Sequence, residues 1–281
     1  MSADSRAVAA VPRSLTPRGT ARIFFAEMAD ILVFGAHPDD AEFGMGASMV
    51  KFARAGASVA VCVLTRGEAG TFGTGELREG EMRAAAKMLG GEIEILNFRD
   101  CQIFDTYESR VRLAEVIRKF RPRIVFAPYH SNPSSHKDGA AHPDHVATGT
   151  IMRSAARYAR FSGLKDVAGQ PWNAEHLLYY MVPRTRTPTL LNDVSDYMKE
   201  WESIARCHTS QMSLRDGKVL ENLRRFREGY GNLMGVAYAE GFVMEEPVVF
   251  DLSLFMTATS QPGGVAPRAV ETAGSPLSPR Q

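Results

Sequence analysis

Two short stretches of this 281-residue chain concentrate side chains that ionise or bind metals near neutral pH. One is Ala36-His37-Pro38-Asp39-Asp40 and the other is His142-Pro143-Asp144-His145, so each contains His-Pro-Asp. In His37-x-x-Asp40 and His142-x-x-His145 the polar residues are one helical turn apart, and both members of a pair can face the same way. Proline favours an extended residue before it and opens a helix well at its own position. Each His-Pro therefore reads as a rigid strand-to-helix corner that aims side chains into a crevice. Imidazole and carboxylate suit Zn²⁺, and three protein ligands with an open fourth position make a catalytic site. His37, Asp40 and one histidine of the second stretch supply that number. Asp39 and the other histidine are left over, which is what a metal-assisted hydrolysis needs as base and acid. A single His-Pro or Asp-Asp is ordinarily a turn or a cap. Their matching places in the chain set these two apart.

Those places follow from the elements around them. Residues 31–35 (ILVFG) form a short continuous apolar run, as expected of a strand covered on both faces. Residues 41–55 read as a helix, with Phe43, Met45, Met49 and Phe52 near one face and Gly56 as its stop. Strands at 58–64, 93–96 and 123–127 alternate with helices at 78–89 and 108–120. Three strand–helix–strand passages in succession predict an α/β, Rossmann-like domain, a mostly parallel sheet with helices on both faces. In such sheets ligands bind beyond the carboxyl ends of the strands. Both His-Pro-Asp stretches fall there. A strand at 176–182 and helices near 196–208 and 217–230 extend the same body.

Other features read as structural. Gly44-x-Gly46 lacks the third glycine of a dinucleotide fingerprint and falls inside a helix. His176 and His208 read as structural, and His130 and His136 as loop residues at the rim of the site. The run Arg224-Arg225-x-Arg227, on a helix with Val219, Leu223, Phe226 and Tyr230 at apolar spacing, reads as a solvated face.

Composition excludes several classes. Lys plus Arg number 33 against 32 acidic residues, a formal charge of +1, which gives no field for gripping nucleic acid or an anionic membrane. No apolar run approaches the ~18 residues of a membrane-spanning helix. Cys62, Cys101 and Cys207 form no C-x-x-C pair and read as buried reduced thiols, not as a disulfide scaffold or zinc knuckle. The first twenty residues lack the apolar core of a secretory signal, so the expected location is cytoplasmic. Residues 1–28 and 256–281 are poor in large apolar side chains and read as disordered tails around a domain at 29–255, with Met28 an alternative start.

The sequence AHPDDAEFG with a distant HPDH resembles the LmbE-like, or PIG-L, family of zinc-dependent N-deacetylases. Further matches are LTRGEAGTFGT (64–74), Arg78 to Ala86, Asn97-Phe-Arg-Asp100, Arg121-Pro122, Ser210-Gln211 and Tyr238-Ala-Glu-Gly-Phe242. These look like the bacillithiol-biosynthesis branch, which removes acetate from N-acetylglucosaminyl-malate. Ala141 and Phe72 stand where that branch commonly carries charged residues. The resemblance implies one Zn²⁺ per chain, with Fe²⁺ the alternative, on His37, Asp40 and His145. It implies Asp39 as general base, and His142 protonating the leaving amine or stabilising the oxyanion, with Asp144 holding the His142 imidazole. Arg78 and Asp100 would contact the sugar or the aglycone. The implied partner is a small N-acetylated amino sugar, and the implied assembly a homo-oligomer, a hexamer or trimer. An Fe(II) oxygenase also uses two histidines and a carboxylate, but usually as His-x-Asp on a barrel strand. A structural zinc site would close with four protein ligands and leave no role for Asp39 and His142.

Overall fold

The computed structural model describes residues 28–134 and 138–247. In chain order the elements are β1 (Ile31–Gly35), α1 (Asp40–Arg54), β2 (Val59–Val63), α2 (Gly75–Leu89), β3 (Glu92–Ile95), α3 (Tyr107–Phe120) and β4 (Ile124–Pro128). There follow α4 (Pro143–Arg160), β5 (His176–Tyr180), β6 (Leu190–Asp193), α5 (Met198–Ala205), α6 (Val219–Met234) and β7 (Ala239–Met244). The strands join in one sheet ordered β3-β2-β1-β4-β5-β7-β6. β1 to β5 run parallel, as the alternation predicts, and β7 pairs antiparallel with both β5 and β6.

Side-chain alternation along the central strands explains the two layers of helices. Leu32 and Phe34 enter a core with Leu113 and Ile117 of α3 and Ile151 and Met152 of α4. Ile31 and Val33 point the other way, onto Ala41, Met45 and Met49 of α1 and Met82 of α2. Burying each of the larger of these side chains is stabilising by about 1.5–3 kcal/mol. Local chemistry sets the helix ends. Thr74 caps α2 by accepting the Leu77 N–H, so this helix starts at Gly75 and not at the expected Arg78. Thr106 and Ser109 form a reciprocal capping box at the start of α3.

From β1 the chain proceeds to β2 and β3 on one side, then returns to place β4 on the other side of β1. The carboxyl ends of β1 and β4 thus flank the switch point, where a crevice opens. The residues after β1 are His37 to Asp40, and the loop after β4 leads to His142.

Several expectations need correction or fall outside the described residues. Of the three cysteines only Cys62 is buried; Cys101 is exposed and Cys207 half-buried, and all are free. Arg227 is buried rather than solvated, because α6 turns Val219, Arg227 and Gly231 inward and leaves Phe226 38% exposed. The expected tails at 1–28, apart from Met28, and at 256–281 lie outside the described residues, as does His136. Among the described residues no helix is long and apolar enough to cross a membrane.

Candidate active site

The two His-Pro-Asp corners meet. The ring centroid of His37 is 4.9 Å from that of His142 and 5.3 Å from that of His145, although about a hundred residues of chain separate the two stretches. As predicted, each corner turns a strand or loop into a helix. Pro143 is the first residue of α4, and His142 is its cap, accepting the Asp144 N–H on Nδ1 at 3.2 Å.

At the first corner the two aspartates divide their roles through backbone geometry. Asp39 occupies the cap position of α1 with φ 116°, a conformation that favours glycine, and its carboxylate makes no capping hydrogen bond. Such a backbone costs about 1–3 kcal/mol and persists only where its surroundings enforce it. The turn frees the Asp39 carboxylate from the helix and sets it 3.3 Å from Arg78 Nη2. Asp40 reaches backward instead, its Oδ2 accepting the N–H groups of Ala36 at 2.7 Å and His37 at 2.9 Å. Its other oxygen, Oδ1, stands 3.0 Å from His145 Nε2. His37 Nδ1 lies 3.6 Å from Asp40 Oδ2.

A second circle of groups fixes the first. The Asp100 Oδ1 is 3.1 Å from His37 Nε2, and the Asp144 Oδ2 is 3.4 Å from the same nitrogen. Asp100 Oδ2 accepts the Ala69 N–H, and Asp144 Oδ2 accepts the N–H of Cys101, a residue with φ 61°. Arg78 donates to the carbonyls of Gly67 and Pro38.

Three further residues singled out in the sequence make these contacts. Arg78 and Asp100, expected to contact substrate, are buried with their charged ends already bound to Gly67, Pro38, Asp39, His37 and Ala69. Asp144, expected to hold the His142 imidazole, does so through its backbone N–H, while its carboxylate faces His37. No local sequence signal marks these contacts, because they depend on the non-glycine left-handed residues Asn97 and Cys101 that bend the loop after β3. His130 pairs with Glu245 at 2.7 Å, and the fully buried His208 lies 3.5 Å from Glu42.

The ionisation states are strongly biased. Burial pushes the Asp39 carboxyl up, to about 6, against the pull of Arg78. Burial would raise Asp40 as well, but the neighbouring His145 and His37 hold it well below the ordinary range. Burial by itself lowers His37, yet the carboxylates of Asp100, Asp144 and Asp40 outweigh that and raise it well above its ordinary value. Burial and the two neighbouring imidazoles lower His142.

The donor set fits a divalent cation. Two atoms bound to one tetrahedral ion at ~2.0–2.1 Å stand ~3.3 Å apart; Asp40 Oδ1 is 3.0 Å from His145 Nε2, while His37 Nδ1 lies 3.6 Å from the other oxygen, Oδ2. His37, His142 and His145 together bring one nitrogen each within 4.8 Å of one another, as do the donor atoms of His37, Asp100 and Asp144. The buried carboxylates Asp39, Asp40, Asp100 and Asp144 outnumber the guanidinium of Arg78, an excess of negative charge that a bound cation would offset. The contact of His37 Nε2 with Asp100 is the carboxylate–histidine arrangement that orients a ligating ring.

Fold and site together define an α/β protein with a cluster of buried imidazoles and carboxylates at the switch point of a mainly parallel sheet. A family model described as PIG-L, GlcNAc-PI de-N-acetylase, matches residues 32–156. The diacetylchitobiose deacetylase of Thermococcus kodakarensis is 32% identical over 231 residues, covering 77% of this chain and 83% of that protein. A 1D-myo-inositol 2-acetamido-2-deoxy-alpha-D-glucopyranoside deacetylase of Streptomyces avermitilis is 27% identical over 55% of this chain and 62% of its own length. Among solved structures, the conserved protein TT1542 of Thermus thermophilus matches with a TM-score of 0.71 and 35% identity, over 80% of this chain and 98% of that one. The chain belongs to the PIG-L, or LmbE-like, family. It is therefore an N-deacetylase, a hydrolase of N-acetyl amides, in a family whose deacetylases depend on a metal.

Proposed function

We propose that this enzyme removes the N-acetyl group from an N-acetylglucosaminide, with Zn²⁺ held by His37, Asp40 and His145. The observation that carries this reading is the Asp39 carboxylate, buried beside the imidazole cluster yet released from helix capping by its left-handed backbone. Bound there, the cation supplies polarisation of the acetyl carbonyl and a lower pKa for a nearby water. Asp39 accepts a proton from the attacking water, and its elevated pKa suits it to hold that proton near neutral pH. As the C–N bond breaks, Asp39 returns the proton to the departing nitrogen, so that acetate and a free amine leave. His142 acts as a neutral donor. Its Nδ1 lone pair accepts the Asp144 N–H, so its proton resides on Nε2, from which it hydrogen-bonds the carbonyl oxygen as charge develops there. Of the two roles expected for His142, this tautomer favours oxyanion stabilisation over delivery of the amine's proton.

Substrate choice follows the sugar more than the aglycone. The relatives' names specify diacetylchitobiose and an inositol glucosaminide, which share an N-acetylglucosamine unit. N-acetylglucosaminyl-malate carries the same unit and belongs in the test. The test is amine release from these three compounds, before and after chelation and after adding back Zn²⁺ or Fe²⁺. Release from at least one, abolished by chelator and restored by zinc, is expected. Release that survives complete metal removal refutes the proposal.

A further inference from the structure

We propose that Glu240, with Arg227 and Trp201, is a positioning group for Asp39 and Asp40: it splints a built-in break in α1 and thereby sets where both carboxylates stand. The proposal rests on the roles assigned above to those two aspartates.

Helix α1 is not continuous. Met45 has φ −148° and ψ 21°, outside helical geometry, and divides the helix after its first turn. In an unbroken α-helix the N–H groups of Ala47 and Ser48 would bond the carbonyls of Phe43 and Gly44. Here they donate to the Glu240 carboxylate, Ala47 to Oε1 at 3.2 Å and Ser48 to Oε2 at 2.7 Å. On the other side of the break, the Glu42 carbonyl accepts Trp201 Nε1–H at 2.8 Å and the Phe43 carbonyl accepts Arg227 Nη2–H at 3.0 Å. Arg227 Nε also donates to Glu240 Oε1 at 2.8 Å, and its guanidinium lies 4.0 Å from the Trp201 ring centroid. Four backbone groups near the break are thus taken up by three side chains from other elements, as buried polar groups require.

The break is also fitted sterically. A Cβ on Gly46 would stand 2.8 Å from Trp201 Cδ1, and one on Gly44 would collide with the Tyr180 ring. The two glycines, which fall short of a dinucleotide fingerprint in the sequence, admit the aromatic rings against the break. Glu240 sits at the start of the second helical segment, where a carboxylate is favoured by the aligned peptide dipoles.

A continuous line of contacts leads to the site. Glu240 holds Arg227, Arg227 holds the Phe43 carbonyl, and the Phe43 N–H donates to the Asp39 carbonyl at 2.8 Å. The segment so aimed, Asp40–Gly44, begins with the residue that bonds the Ala36 and His37 amides. Glu240 is 2% exposed and Arg227 3% exposed. A buried ion pair is often no more stabilising than apolar residues of the same shape, so fixing one conformation is its better-attested use.

The test compares Glu240→Gln with wild type, and with Trp172→Phe, which removes a side-chain bond to the Pro122 carbonyl elsewhere in the fold. The readouts are amide exchange at Ala36 and His37, zinc affinity by chelator competition, and kcat and KM separately. For Glu240→Gln we expect faster exchange at both amides, zinc affinity weakened about tenfold or more, and a fall in kcat with KM little changed. Trp172→Phe is expected to change none of these. Should Glu240→Gln fail to fold, Arg227→Lys keeps the charge, loses the guanidinium fork, and should move the same readouts in the same direction. A folded variant with lower melting temperature but wild-type exchange, zinc affinity and kcat overturns the proposal, leaving the cluster as packing alone. If wild type binds no zinc, the proposed function fails, while the exchange at Ala36 and His37 still decides whether the splint acts on the site.

Discussion

Replacing Asp100 by Asn separates two accounts of this residue. One carboxylate oxygen lies 3.1 Å from His37 Nε2, and the other accepts the Ala69 N–H at 2.9 Å. Asparagine keeps the shape but offers one carbonyl oxygen and one NH₂. With the oxygen towards His37, the NH₂ confronts the Ala69 N–H; flipped, it confronts the imidazole N–H. In the first case the donor left without its acceptor belongs to exposed Ala69 and water can replace it; in the second it is the buried His37 imidazole, at a cost of about 1–3 kcal/mol. Because ~1.4 kcal/mol corresponds to tenfold in an equilibrium constant, zinc affinity should weaken by about tenfold to a hundredfold. Asp144 Oδ2, 3.4 Å from the same His37 nitrogen, offers a substitute acceptor and places the expectation near the lower end. The assay is zinc competition against a chromogenic chelator, with kcat and KM measured on diacetylchitobiose at saturating zinc. Orientation of His37 predicts weaker zinc binding and a largely recoverable kcat. Unchanged zinc affinity with a clear rise in KM would show that Asp100 contacts substrate, and the reasoning from its geometry would be refuted.

Asp39→Asn should retain zinc by elemental analysis while turnover falls about 10²–10⁴-fold; normal turnover excludes Asp39 as the base. His142→Ala should lower kcat by about 10²–10³-fold, as loss of an oxyanion donor does, with zinc content unchanged. Gly46→Ala places a methyl 2.8 Å from Trp201 and should destabilise by about 1–3 kcal/mol, read as a lower denaturant midpoint; an unchanged midpoint refutes tight packing at the break.

The central elements and the two His-Pro-Asp corners are legible in the sequence because local chemistry specifies them. Strands β1, β2 and β4 are continuous apolar runs buried on both faces, and Gly90 ends α2 in the left-handed conformation that its residue type favours. The prolines of the two corners place His37 and His142 at helix entrances in the structure as in the sequence. The antiparallel strands are not legible. β6 is four residues long (Leu190–Asp193), and β7 carries a buried glutamate that breaks the apolar signature of a strand. Periodicity places Arg227 outward because its neighbour Phe226 is the more apolar, whereas the inward direction of α6 is set by Glu240 on another element. The partners of Asp100 and Asp144 depend on left-handed backbone at Asn97, a type that tolerates it, and at Cys101, whose type does not announce it.

The convergence of the two corners on one ion is tested most directly by anomalous diffraction at the zinc absorption edge from crystals of the zinc-loaded enzyme. Convergence gives a single strong peak bonded to His37 Nδ1, Asp40 Oδ1 and His145 Nε2, with Asp39 nearby but unbound. A peak on His37 Nε2, Asp100 and Asp144 instead, or Asp39 bound as a fourth protein ligand, would contradict it.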